Sequence, residues 1–201
     1  MGMFMQRICS IPGCGTRAFA DSEHCLGHTE DPFEATKALA EKILARQSAI
    51  NIDFSDLSLV AQDFSRCKFV GCRFGGTKLS HVMFTGASVR LCFFDRAELA
   101  SCDFSGVDMD FCSFGESKIF DCSFENSELI HVNFNGATIN ESTFSSSNLY
   151  DSRFILSYLS NSRFNDCDFK RVYFMPVASE SVSTHGSNIL EAVRDMEHLY
   201  I

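Results

Sequence analysis

Cys102–Gly136 reads CDFSG VDMDF CSFGE SKIFD CSFEN SELIH VNFNG, seven five-residue units centred on Phe104, Met109, Phe114, Ile119, Phe124, Leu129 and Phe134. The same register runs outward in both directions. From Phe54 to Phe174, twenty-five consecutive positions at steps of five are hydrophobic, and every second one is phenylalanine. An amphipathic helix repeats its apolar face near 3.6 residues and a strand repeats at 2, so neither produces this pattern. A short uninterrupted period predicts a solenoid.

The columns of the unit differ in chemistry. Two residues before each centre the side chain is small, as in Cys72, Ala87, Cys102, Cys112, Cys122, Ala137, Ser152 and Ser162, which predicts a second inward position with little room; Gln62 is the large exception. Two residues after the centre stand Gly71, Gly76, Gly86, Gly106 and Gly136, with Asn, Asp and Ser common elsewhere, so this column is expected to turn the corners. Pro12, Pro32 and Pro176 all lie outside the register or at its end, as expected where a missing N–H would interrupt a ladder.

The runs CRFGG, CDFSG, CSFGE, CSFEN and VNFNG resemble the consensus of the pentapeptide-repeat proteins: a small residue, Asp or Asn, Leu or Phe, then two variable residues. The resemblance covers about residues 52 to 175. It implies an all-β solenoid, a right-handed four-sided β-helix of about six coils, roughly 30 Å long at the spacing of adjacent strands. Twenty residues per coil would stack Phe74, Phe94, Phe114, Phe134 and Phe154 on one face. Phe64, Phe84, Phe104, Phe124, Phe144 and Phe164 would stack on the opposite one. Cys72, Cys92 and Cys112, and Cys102 over Cys122, then form inward ladders, read as packing because Cys behaves as a small buried hydrophobe.

Four regions follow. Residues 1–30 carry a Cys/His segment, 31–50 a capping helix, 51–176 the β-helix, and 177–201 a linker with an amphipathic helix. In the first, Cys9-x4-Cys14 and Cys25-x2-His28 give two ligand pairs at the spacing of a closed zinc site, with Pro-Gly and Gly turns between them. The expectation is a structural Cys3His zinc, with His24 as the alternative fourth ligand; the competing reading is that these are ordinary loop residues. Asp31, Pro32 and Glu34 mark a helix start, followed by Phe33, Leu39, Ile43 and Leu44. Such a helix would cover the first coil. Asn188 with Glu191, followed by Ile189, Leu190, Val193 and Met196 at helical spacing, predicts a second helix that caps the rod or makes a homodimer.

Composition excludes several functions. A net charge of −9 without a basic cluster argues against binding nucleic acid directly. No apolar run approaches the ~18 residues of a membrane span, and MGMFMQRICS lacks a secretory stretch, so the expectation is a cytoplasmic protein whose ten cysteines are thiols or metal ligands. His81, His131, His185 and His198 fall in no triad, and neither GxGxxG nor a Walker motif is present, so no catalysis is expected.

Two functions remain. Val70, Leu91, Phe111, Ile130 and Tyr150 map to one side of successive coils, an apolar stripe that suits a protein-interaction scaffold, unless the chain's own termini cover it. The family resemblance implies the alternative, a DNA mimic that binds DNA gyrase or topoisomerase IV and protects against quinolones. Between residues 52 and 175 the chain carries 16 acidic and 11 basic residues, a modest net −5, and no register slip leaves room for a projecting loop.

Overall fold

A computed structural model describes residues 7–19 and 22–195. The twenty-residue offset governs all of it from Ser48 onward. One parallel sheet stacks Ser48–Ile50, Lys68–Val70, Ser88–Arg90, Asp108–Asp110 and Glu128–Ile130. The facing sheet runs from Ser58–Val60 through Lys78–Ser80, Glu98–Ala100, Lys118–Phe120, Thr138–Asn140 and Tyr158–Ser160 to Ala178–Glu180. On the two phenylalanine faces the strands shrink to single parallel bridges, Asp53↔Arg73↔Phe93↔Ser113 onward and Asp63↔Met83↔Asp103↔Ser123 onward. The result is a β-solenoid of about seven turns.

Phenylalanine fills its axis. Within a ladder the rings lie parallel: Phe74–Phe94 centroids are 4.4 Å apart at 3°, and Phe94–Phe114 4.6 Å apart at 4°. Across the axis the two ladders meet edge to face, as at Phe104–Phe114 (6.0 Å, 87°) and Phe114–Phe124 (5.8 Å, 88°). Both arrangements are favoured by the ring quadrupole over a face-to-face sandwich, provided the parallel rings are offset. The parallel stacking gives way near both ends. Phe64–Phe84 is tilted by 44° where Phe69 stands 5.6 Å from Phe64 and 5.4 Å from Phe84, and Phe154–Phe174 by 59° where Phe169, on the same face as Phe69, stands 5.3 Å from Phe174.

The small inward column is also a hydrogen-bond ladder. The hydroxyl of Ser152 donates to Leu129 O (2.7 Å) and accepts from Val132 N–H (2.9 Å); Ser147 repeats this with Phe124 O and Ser127 N–H. Cysteine does the same work more weakly. Cys72, Cys102 and Cys112 direct Sγ at the carbonyls of Ala49, Leu79 and Val89 at 3.3–3.5 Å. Burial pushes the Cys167 thiol up to about 11, while Cys112 alongside, with burial, pushes Cys92 up to about 12. These thiols are structural.

The corner column adopts the left-handed region throughout, with φ of +64° to +67° at Gly71, Gly76, Gly86, Gly106 and Gly136. At Gly76 an added Cβ would also meet Asp56 Oδ1 at 2.6 Å.

The helix Pro32–Arg46 starts where expected, with Asp31 Oδ1 accepting from Phe33 N–H (3.0 Å) and Glu34 N–H (3.1 Å). Leu39, Ala40 and Ile43 bury into the same core as Ala49 and Phe54, so the helix caps the first coil. Phe33 and Leu44 do not join it: both lie on the solvent side of the helix.

The C-terminal expectation needs correction. No α-helix forms over residues 188–195; only a 3-10 turn, Ile189–Glu191, is present. The segment instead adds the seventh coil, with Ala178–Glu180 on Tyr158–Ser160 and bridges Arg163↔Ser183 and Tyr173↔Val193. Its centres, Ser179 and Thr184, are polar, which hid it from a hydrophobic count, yet Val182, Ile189 and Ala192 still pack on the core. Asn188 does not cap a helix. Its Oδ1 accepts from Phe169 N–H at 2.6 Å, extending the ladder. Met196 lies outside the described residues, and nothing among the described ones builds a dimer helix.

Candidate metal centre and contact surface

The Cys/His segment folds as a knuckle. Ile8 and Arg17 form an antiparallel bridge, with Cys9 N–H donating to Thr16 O (2.8 Å) and Ala18 N–H to Arg7 O (2.8 Å). Between them Gly13 and Gly15 take φ of +81° and +65°, a reversal that brings Cys14 back beside Cys9. Cys25 precedes a 3-10 turn, Leu26–His28, which places His28 on the same point.

The four side chains converge there. The donor atoms of Cys9, Cys14, Cys25 and His28 all lie within 4.8 Å of one another. Cys14 Sγ and Cys25 Sγ are 3.7 Å apart, and His28 Nδ1 stands 3.4 Å from Cys9 Sγ and 3.3 Å from Cys25 Sγ. A tetrahedral zinc at ~2.3 Å from sulfur and ~2.0 Å from nitrogen has edges of about 3.8 Å between sulfurs and about 3.5 Å from sulfur to nitrogen. The donor set therefore fits zinc in both chemistry and size. Between the two histidines, only His28 joins the cluster. The Thr16 hydroxyl, 2.6 Å from Cys14 Sγ, lowers the Cys14 thiol and also the Cys25 thiol, the direction that favours thiolate ligands.

The knuckle is tied to the first coils. Arg17 Nη1 contacts Asp53 Oδ2 at 3.1 Å, and a cleft of about 710 Å³ separates Thr16, Phe19 and Leu26 from Leu57, Gly76 and Arg96. Burial raises the Asp53 carboxyl, but hydrogen bonds from Ser55 and Arg17 outweigh it and hold the group below the usual carboxylate range. A depressed carboxylate contributes stability that is present above its unfolded pKa of ~3.9 and lost as pH falls through its folded value. The stability advantage of the wild type over Asp53→Asn, measured by urea unfolding, is expected to be constant near neutrality and to shrink as pH falls below the unfolded carboxyl's ~3.9, disappearing once the folded carboxyl is protonated as well.

The five stripe residues occupy the edge where the sheet of Lys68–Val70 turns its corner. Val70, Ile130 and Tyr150 end that face, half-buried, while Leu91 (38% exposed) and Phe111 (56%) are the corner residues after it. They do not form one unbroken column. Arg90 and Asp110 alternate with them, Arg90 paired to Asp108. His131, which the sequence placed in no triad, completes the surface: it stacks on Phe111 (4.4 Å, 13°), meets Tyr150 in a T-shaped contact (6.2 Å), and its Nδ1 meets Asp110 Oδ1 at 3.0 Å. Arg171 lies over Tyr150 at 5.6 Å. His131 stands twenty residues after Phe111, one coil on, which is the register that stacks the two rings.

Leu91 and Phe111 also sit in the left-handed region, at φ +55° and +51°. The same conformation recurs at every corner from Asn51 to Arg171, so it is a property of the coil and not of these two residues. The described part of the knuckle lies against Asp53, Asp56 and Gly76, on a different corner, and the last coil extends the rod, so none of the described residues at either end covers Leu91 or Phe111. Val60, Phe120, Leu156 and Tyr158 are exposed on other sides.

Among the described residues no helix is long and apolar enough to cross a membrane. No curated protein matches the chain. Similar solved structures include a trypsin-treated variant of QnrB1, a plasmid-mediated fluoroquinolone resistance protein, at 19% identity over 70% of this chain and 75% of that one with a TM-score of 0.41. HetL, a pentapeptide repeat protein involved in heterocyst differentiation regulation from the cyanobacterium Nostoc sp. strain PCC 7120, is 10% identical over 76% and 92%, TM-score 0.31. Rfr23 from the cyanobacterium Cyanothece 51142 is 12% identical over 80% and 99%, TM-score 0.33. The repeat itself decides the matter: the model described as "Pentapeptide repeats (8 copies)" matches residues 58–95 and 82–115, and that of the "Pentapeptide repeat region" matches 117–193. With five-residue units stacked in one register from the first coil to the last, the chain belongs to the pentapeptide-repeat proteins.

Proposed function

We propose that this protein is a non-catalytic scaffold or adaptor that binds a protein partner through the corner carrying Leu91, Phe111, Ile130 and Tyr150, with a structural zinc holding its N-terminal knuckle. One observation carries the first part: Phe111 is 56% exposed and stacks on His131, which Tyr150 meets at right angles, an aromatic cluster on the open side of the rod. Asn tolerates the left-handed region better than Phe, so Phe111→Asn is expected to leave thermal stability within about 1 kcal/mol of wild type. Its partner binding, measured by affinity capture from host lysate, is expected to fall about tenfold or more, as for a central aromatic anchor. Unchanged capture would sink the surface assignment.

DNA mimicry toward DNA gyrase or topoisomerase IV is the second reading. It is favoured by the exposed carboxylates Asp108, Glu116, Asp121 and Glu128 on neighbouring coils. It ranks lower because Asp108 is neutralised by Arg90 and no loop interrupts the ladders to project toward an enzyme.

A further inference from the structure

Of the ten cysteines, seven line the rod and are buried, their Sγ atoms turned inward. Cys9 is buried as well, at 6% exposure. Cys14 and Cys25 differ from all of these: both are partly open to solvent, and their sulfurs stand 3.7 Å apart, on opposite arms of the knuckle. Each supplies one corner of the tetrahedron, so joining them removes two of its four ligands together.

We propose that Cys14 and Cys25 form a peroxide-sensitive pair whose oxidation releases the zinc and unlatches the knuckle from the rod; this rests on the zinc reading above. One thiolate sulfur attacks hydrogen peroxide, breaking the O–O bond to give a sulfenic acid and hydroxide. The second sulfur attacks that sulfenic sulfur and expels another hydroxide, forming the Cys14–Cys25 disulfide. Two thiolates are oxidised by two electrons, one peroxide is reduced, and two protons from solvent convert the hydroxides to two waters. Cys9 and His28 alone do not close a tetrahedral site, so the ion leaves. The Arg17–Asp53 contact then loses the frame that positions Arg17, and the cleft against Leu57 and Gly76 opens. The rod is unaffected because its thiols are shielded.

The test uses the zinc-loaded full-length chain, titrated with hydrogen peroxide in the presence of a chromogenic chelator, with disulfides then mapped by mass spectrometry. Expected are one zinc released per molecule, a Cys14–Cys25 disulfide, seven rod cysteines still reduced, and zinc rebinding after dithiothreitol. Retention of zinc once peroxide has oxidised the protein, a disulfide made through Cys9, or oxidation of rod cysteines first would overturn the switch while leaving the zinc site standing. A freshly reduced chain that takes up no zinc overturns both.

Discussion

Phe114→Ala is expected to destabilise the rod by about 3–5 kcal/mol, the range for deleting a buried phenylalanine side chain. The position concentrates that effect. Phe114 is fully buried, parallel to Phe94 and Phe134 at 4.6 and 5.1 Å, and edge-on to Phe104 and Phe124, so the cavity would open at the centre of both ladders. A solenoid coil contacts only its neighbours, and a middle coil supports two of them. Phe174→Ala, at the half-buried end of the same ladder, is expected to destabilise by less than half as much. Urea unfolding of the two variants measures the contrast. Equal losses at both positions would show that the ladders do not act as a stacked core.

On the proposal that the knuckle holds zinc, removing the metal is expected to have the second large effect, confined to the N-terminus. Among its described residues the knuckle buries little apolar surface, chiefly Cys9, Ala18 and Phe19. Structural zinc sites supply an apparent ~10–16 kcal/mol, which exceeds what so short a hairpin can supply itself. A chelator, or Cys14→Ser, should therefore abolish amide-exchange protection at Cys9, Ala18 and Phe19 and leave Phe94 and Phe124 protected as before. Protection that survives at Cys9 and Ala18 after complete metal removal would mean the knuckle folds without its ion.

How much of this the sequence carried differs by region. The rod was legible because a five-residue unit writes its geometry directly: Phe104 and Phe124 stack because they are twenty residues apart. The seventh coil was not legible, because its centres Ser179 and Thr184 break the hydrophobic count while the backbone ladder, which any residue can make, continues. Asn188 misled for a related reason, since an Asn that caps helices also satisfies a neighbouring coil's N–H. At the metal centre the spacing of Cys9, Cys14, Cys25 and His28 sufficed to propose the ligands. Choosing His28 over His24 required the 3-10 turn that aims its ring. The candidate contact surface was only half readable. Periodicity placed Phe111 and Tyr150 on one edge, but His131 between them is polar in composition and aromatic in contact.

The most direct test of the scaffold reading is affinity capture from host lysate with wild-type protein, Phe111→Asn and a variant with Glu116→Gln, Asp121→Asn and Glu128→Gln, each at low and moderate salt. A scaffold partner is expected to be recovered at both salt concentrations, retained by the charge variant and lost with Phe111→Asn. Recovery of gyrase subunits that disappears with salt and with the charge variant, while Phe111→Asn binds normally, would contradict that reading.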